Sequence, residues 1–306
     1  MKAALSLDLD NKWSYMKTHG DSGWQQFPSY LDTLIPKALH VLRELDLRIT
    51  FFVVGYDADF EQNRDVLAEI PRHGHEIGNH SYFHEPWMHR RTPAELHDEL
   101  SRAEHSIGSV TGRQPRGFRG PGFVSSPTLI DVLVNRNYLY DASSLPTFIG
   151  PLGRLYYFRT AKLQPEERRQ RHDLYGKFSD GFRPNRRYRL RSGNRSLDEI
   201  PVTTMPGLRL PIHVSYVLYI ATFSPALAVA YFRTALALCK LTRTQPSILL
   251  HPLDFLSSRD CPELTFFPAM TLDPSVKRQV LTQVLRDLAT DYDVVPLEQF
   301  ALVHEL

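Results

Sequence analysis

Short, largely apolar runs recur along this chain, each separated from the next by a stretch of helical periodicity, and that alternation constrains the fold most. Residues 3–9, 49–54, 138–140, 200–203, 247–250 and 293–295 read as strands. Runs that are apolar on both faces suit strands buried on both sides, as in a parallel sheet. The helix starts between them are legible. Thr92-Pro93-Ala94-Glu95 combines an N-cap Thr, a Pro at the first helical position and a Glu that closes a capping box. Leu96, Leu100, Ala103 and Ile107 then recur on one face. Ser126-Pro127, Ser224-Pro225 and Asp273-Pro274 repeat the cap-then-Pro start, and Val276, Val280, Val284 and Leu288 give the last helix its apolar stripe. Further helices are expected over 29–45 and 61–72. Strands alternating with helices over the whole chain predict an α/β barrel or a doubly wound sheet. No Gly-rich phosphate loop follows the first strand, which disfavours a nucleotide fold. In a barrel the catalytic residues sit at the C-terminal strand ends, where Asp8 and Asp10 fall.

The chain has 306 residues, 42% of them hydrophobic, enough to bury a sizeable core. It reads as a single domain over 1–306 that carries a basic insertion at about 159–195. A net charge of +2 argues against a general nucleic-acid binder. With only Cys239 and Cys261 there is no disulfide framework and no Cys-rich zinc site, whereas thirteen His point to a metal held by nitrogen and oxygen. Lys2 is followed by only five residues before Asp8, too few for a secretory signal, so a cytoplasmic location is expected. Residues 210–232 form a 23-residue run without Asp, Glu, Lys or Arg. Pro211, His213, Ser215, Ser224 and Pro225 interrupt it, so two buried or interfacial helical segments are expected rather than a membrane span.

The basic insertion holds twelve Lys or Arg against four acids, a net +8 that leaves the rest of the chain near −6. It reads either as a solvated basic loop or as a cover beside the barrel mouth that meets an anionic group.

The densest chemical signal is Gly78-Asn79-His80-Ser81-Tyr82-Phe83-His84. Two His four residues apart can face one way on a helical turn and offer two imidazoles to one metal. A carboxylate from Asp8 or Asp10 would complete a set of two His and one carboxylate with open positions. The Asp8-Leu9-Asp10 spacing puts both carboxylates on one face of an extended strand. One can bind metal while the other takes a proton from water, or both can simply cap a loop.

Ser6-Leu7-Asp8-Leu9-Asp10, His80-Ser81-Tyr82-Phe83-His84, Arg119-Gly120-Pro121-Gly122 and Leu250-His251-Pro252 follow one another in the order of the polysaccharide deacetylase family. The chain resembles that family, the NodB homology group or carbohydrate esterase family 4, over roughly 1–150 and again over 200–256. The resemblance implies a distorted (β/α) barrel, usually of seven strands. It also implies roles: Asp8 as general base, Asp10, His80 and His84 as metal ligands, Arg119 as the residue that orients the base and lowers its pKa. His251 would be the general acid and Asp141 the residue that positions it. The implied cofactor is one divalent ion, zinc first, with cobalt, nickel or iron also suited to the donor set.

Three departures stand out. Asp-Leu-Asp replaces the usual adjacent pair of Asp, Gly122-Phe123 replaces an aromatic-Gly near the oxyanion site, and no Trp follows Asp141. Trp13, Trp24 and Trp87 are left as either sugar-stacking or core residues. The expected activity is removal of an N-acyl group, acetyl or formyl, from an amino sugar or a lipid-linked sugar, with peripheral contact to a membrane or an anionic lipid-linked substrate. A metal-dependent amidohydrolase of a small non-sugar amide, as in the allantoin-hydrolysing branch, is the alternative, and a catalytically silent sugar-binding module is the third.

Overall fold

The computed structural model describes residues 1–172, 174 and 176–302, with the side chain of Gln170 excepted. Its centre is strand β1 (Lys2–Asp8), almost entirely buried and paired in parallel on both sides. On one side lies β2 (Thr50–Val53), followed outward by β3 (Glu76–Asn79), β4 (Gly117–Phe118) and β5 (Tyr140–Asp141), all parallel. A hairpin of β6 (Tyr188–Ser192) and β7 (Arg195–Glu199) continues the sheet, with β7 parallel to β5 and antiparallel to β6. On the other side of β1 lies β8 (Ser247–Leu250), and β9 (Asp293–Val295) pairs with the first residues of β1. The nine strands curl into a half-barrel, one of the two folds the alternation allowed and the distorted (β/α) architecture that the resemblance implies.

The strand expected over 200–203 is not a ladder strand. The ladder ends at Glu199, and the next residues cross the barrel as its seam. Ile200 N–H donates to Asp141 C=O (2.8 Å), Val202 N–H to Ser144 C=O (2.8 Å) and Thr203 N–H to Ser247 C=O (2.9 Å). Ser247 N–H returns a bond to Thr203 Oγ1 (2.8 Å). Pro201 and the change of partner from β5 to β8 explain why no regular pairing forms here.

Twelve helices cover the sheet and the rim among the described residues. The first half supplies α1 (Lys12–His19), α2 (Leu31–Glu44), the single turn α3 (Gly55–Ala58), α4 (Glu61–Arg72), α5 (Pro93–Thr111) and α6 (Pro127–Asn135). The Thr92–Glu95 capping box forms as read, and Leu96, Leu100, Ala103 and Ile107 of α5 are all buried. The basic stretch contains the end of α7 (Gly150–Thr160), then α8 (Pro165–Gln170) and the β6–β7 hairpin, so it is a built excursion rather than a bare loop. The uncharged run at 210–232 splits into α9 (Val214–Ala221) and α10 (Pro225–Leu241), joined at the Ser224 N-cap. No described helix is long and apolar enough to cross a membrane. α11 (Pro274–Asp291) and α12 (Leu297–Leu302) complete the outer layer.

Two glycines let neighbouring strands approach. A Cβ on Gly78 would sit 2.5 Å from the Phe52 ring, and one on Gly117 would sit 1.9 Å from Tyr140 Cζ. Both aromatic rings are fully buried, so neither site has room for a methyl group.

Candidate active site

Strand register alone gathers the chemistry. Leu7 pairs with Leu250, so the next residues, Asp8 and His251, leave adjacent strands at one level. Val53 pairs with Asn79 and Asn79 with Phe118, which places His80 and Arg119 one step beyond. Phe118 pairs with Asp141, and Asp141 with Glu199. The C-terminal rim of the barrel therefore carries Asp8, His80, Arg119, Asp141, Glu199 and His251 side by side.

Asp10, His80 and His84 form a compact buried group whose ligand atoms lie within 4.8 Å of one another. Asp10 Oδ1 is 3.1 Å from His80 Nε2 and 2.9 Å from His84 Nε2. Three donors bound at about 2.0–2.2 Å to one ion would stand about 3 Å apart. His80 Nδ1 bonds to the Arg119 carbonyl (2.7 Å), which turns Nε2 toward Asp10. Neither His84 nitrogen has a hydrogen-bond partner, and Asp10 Oδ1 likewise lacks one. Buried polar atoms left this way on Asp10 and His84, with His80 Nε2 turned onto the same carboxylate oxygen, fit a divalent ion. Burial pushes the Asp10 carboxyl up, but the two imidazoles outweigh it and hold the group well below the usual carboxylate range.

The His pair does not lie on a helical turn, as the spacing predicts. Residues 80–84 form a loop in which Ser81 (φ 63°) and His84 (φ 49°) both take left-handed backbone. The loop is braced from within and below. Asn79 Oδ1 accepts from Ser81 N–H (2.8 Å), Ser81 Oγ from His84 N–H (3.0 Å), and Glu99 Oε1 from Tyr82 and Phe83 N–H (3.0 and 2.8 Å). Glu99 is itself buried and paired with Arg91 (2.7 Å). The bent loop turns both imidazoles onto Asp10, with ring centroids 4.9 Å apart.

Asp8 stands beside this group, Oδ2 lying 3.9 Å from His80 Nε2. Arg119, fully buried, donates from Nη1 to Asp8 Oδ1 (2.7 Å) and to Ser6 Oγ (2.8 Å), and from Nε to Ala142 C=O (2.9 Å). Its guanidinium also sits 4.4 Å over the Phe52 ring. Asp8 is thus fixed by a cation that cannot swing away.

His251 has a different supporter from the one expected. Asp141 makes no contact with it; Ser143 Oγ donates to Asp141 Oδ1 (2.5 Å) and accepts from Gly120 N–H (2.7 Å). The residue on His251 Nδ1 is Ser215 (3.0 Å), which donates onward to Asp254 Oδ1 (2.7 Å). Asp254 Oδ2 also accepts from His251 N–H (2.8 Å). Asp141 is turned toward Glu199 instead. Burial pushes both carboxyls up, and the neighbouring Asp141 charge pushes Glu199 further. Asp141 Oδ2 and Glu199 Oε2 are without hydrogen-bond partners.

Tyr15, Tyr30 and Asp57 gave no signal in the sequence. Tyr30 Oη donates to the Asp10 carbonyl. Tyr15 Oη is buried without a partner, and burial, then the nearby Asp10 charge, pushes this phenol well up. Asn11 caps α1 and bonds to buried Asp57 (2.7 Å), which also accepts from Trp13 Nε1 (2.8 Å). Trp13, Trp24 and Trp87 surround the Lys17 ammonium at 5.0–5.8 Å. Beyond the rim opens a cavity of about 650 Å³ bounded by Gly122, Phe123, Ser143, Ser215 and Asp254 on the site's side. Phe123 N–H is already donated to Gly120 C=O (2.9 Å).

Residues 18–140 match the family model for polysaccharide deacetylase. The match contains His80, His84 and Arg119, while Asp8, Asp10 and His251 lie outside it. The chain is 31% identical over 108 residues to the uncharacterized Bacillus subtilis protein YlxY, a match covering 35% of this chain and 31% of that protein. It is 32% identical over 92 residues to the peptidoglycan-N-acetylmuramic acid deacetylase PdaA of Bacillus subtilis, covering 30% and 34%. The chain thus spans about a third of the length of these relatives. A Mycobacterium smegmatis crystal structure described as a polysaccharide deacetylase superposes with a TM-score of 0.64 at 20% identity, over 98% of this chain and 88% of that one.

Proposed function

We propose that this chain, whose residues 18–140 match the polysaccharide deacetylase family, is a metal-dependent hydrolase removing an N-acyl group, acetyl or formyl, from an amino sugar. The observation that carries the reading is the buried Asp10–His80–His84 group with Asp8–Arg119 and His251 on the same strand rim. Asp10, His80 and His84 would hold the ion, and zinc is the metal we propose for two imidazoles and a carboxylate. Such an ion supplies Lewis-acid polarisation of the acyl carbonyl and acidifies the attacking water.

Asp8, held as a hydrogen-bond acceptor by Arg119, removes a proton from the water as its oxygen attacks the carbonyl carbon. Gly122 N–H is the backbone donor assigned to the developing oxyanion, because Phe123 N–H is engaged in its own turn. His251 gives a proton to the nitrogen as the C–N bond breaks. The Ser215 hydroxyl, oriented by Asp254, keeps Nδ1 as a donor and so leaves Nε2 for the substrate.

The test pairs metal content with turnover on N-acetyl and N-formyl amino sugars. His80→Ala should lose both the metal and activity, whereas Asp8→Asn should keep the metal and lose roughly 10²–10⁴ in turnover, the usual contribution of a general base. Full metal occupancy in His80→Ala would remove the ligand assignment. Loss of metal in Asp8→Asn with retention in Asp10→Asn would reverse the two carboxylates.

A further inference from the structure

The cavity beside the rim has walls of two kinds. Toward the site it is polar, with Ser143, Ser215, His213 and Asp254. Away from it the lining is mainly carbon: Leu145, Ile149 and Leu152 face a second wall carrying Tyr216, Tyr219 and Phe267. A sugar polymer needs an open groove with polar partners along its length. This space is instead a pocket of discrete-ligand size, closed on one flank by α7 and the 176–183 stretch.

The carbon lining does not stop at the mouth. Leu152 of α7 lines the cavity and is 63% exposed, and Tyr219 of α9 lines it and is 40% exposed. Phe223, 74% exposed, packs edge-on against Tyr219 with ring centroids 5.5 Å apart. Apolar surface therefore runs unbroken from the pocket to the outside along two helices that share it. Lys177 and Arg183 stand on the same walls with Asp180, which pairs with Arg183 (3.3 Å), so one net cation adjoins the apolar track.

Resting on the deacylase reading, we propose that the substrate is a lipid-linked N-acyl sugar. The sugar lies at the metal group, its anionic linkage beside Lys177 and Arg183, and its hydrocarbon tail in the cavity and out over the Leu152–Tyr219–Phe223 rim. A tail continuing to the exterior favours a lipid anchor over a long acyl chain, which would be enclosed.

The test uses dodecyl phosphate as the probe, below its micellar concentration, with binding followed by isothermal titration calorimetry. Each methylene moved from water into the cavity contributes about fourfold in affinity, so dodecyl phosphate should bind well over tenfold more tightly than octyl phosphate. Leu152→Asp with Tyr219→Asp, both at exposed positions, should weaken dodecyl phosphate at least tenfold while the melting temperature stays put. Lys177→Gln should weaken it less, and only at low salt. Absence of binding, or affinity independent of chain length, overturns the proposal.

Kinetics separate the two readings. Metal-loaded protein should deacetylate the dodecyl phosphodiester of N-acetylglucosamine with at least tenfold higher kcat/KM than N-acetylglucosamine 1-phosphate. Equal turnover of both overturns the lipid proposal and leaves the deacylase intact. Preference for N-lauroylglucosamine over both overturns it as well, by placing the acyl chain in the cavity. Dodecyl phosphate binding without turnover of any N-acyl sugar overturns the deacylase reading while supporting the cavity's ligand.

Discussion

The neighbours of His251 set which proton the proposed acid would give. Ser215 donates to Asp254 and so must accept from His251 Nδ1, which fixes the ring's orientation. Ser215→Ala should leave metal content unchanged and lower kcat on amides roughly 10–100-fold, a smaller loss than removal of the acid itself. An activated ester, whose leaving group needs little protonation, should be affected less. Equal losses on amide and ester would reduce Ser215 to a packing role. Asp57 offers a second test at this scale. Burial pushes its carboxyl up to about 7, against hydrogen bonds from Asn11 and Trp13 that pull it down. A carboxyl whose pKa rises on folding contributes stability fully below pH about 4, and that contribution is lost as pH climbs to about 7. In metal-free protein, Asp57→Asn should therefore gain on the wild type across that window, by up to about 4 kcal/mol. Urea midpoints measured from pH 4 to 8 check it, and parallel curves for the two proteins would show that Asp57 does not titrate there.

Elements differ in how openly the sequence announces them. The cap-then-Pro helix starts read correctly because they depend on chemistry within four residues. β1, β2, β8 and β9 read correctly because their apolar runs are local too. β3 and β4 gave no signal, since Glu76-Ile77-Gly78-Asn79 and Gly117-Phe118 carry glycines where a neighbouring ring needs space. The His loop misread for the same kind of reason. Its shape comes from left-handed backbone without glycine at Ser81 and His84 and from Glu99, which lies 15 residues beyond His84 in the chain. The rim residues were legible as an ordered set of motifs, but Ser215 and Glu199 were not, because only the fold brings them to His251 and Asp141, while Asp254, three residues past His251, is a local cap that went unread. Gly117→Ala tests the close approach of β4 and β5. Its methyl would overlap the Tyr140 ring, so a loss of about 1–3 kcal/mol is expected in thermal or urea unfolding. Arg119 lies two residues on, so catalysis should fall further than stability alone requires. An unchanged midpoint would mean that Tyr140 moves aside freely.

For the molecule as a whole, total charge said less than its placement. Many cations of the 159–195 segment are spent on structure: Arg171 sits over Trp87 and bonds to Thr18 C=O, Arg187 to the carbonyls of Phe300 and Ala301, and Arg189 lies 3.5 Å from Asp198. Surface pairs of this kind contribute little each, about 0–1 kcal/mol, but they fix the excursion against the barrel. The sequence showed a basic block and not which of its members reach the cavity, where Lys177 and Arg183 stand. The seam has a consequence of its own. β1 is laddered on both flanks, whereas among the described residues the stretch after β7 meets β8 through two hydrogen bonds, one of them to a side chain. Amide protons at Thr203 and Ser247 should therefore trade for deuterium well before those of Leu5 and Leu7, by a local opening that leaves the rest of the core shut. The strand that leads into His251 and the Asp141–Glu199 pair stand on opposite banks of that opening, so the barrel breathes along the line that divides them.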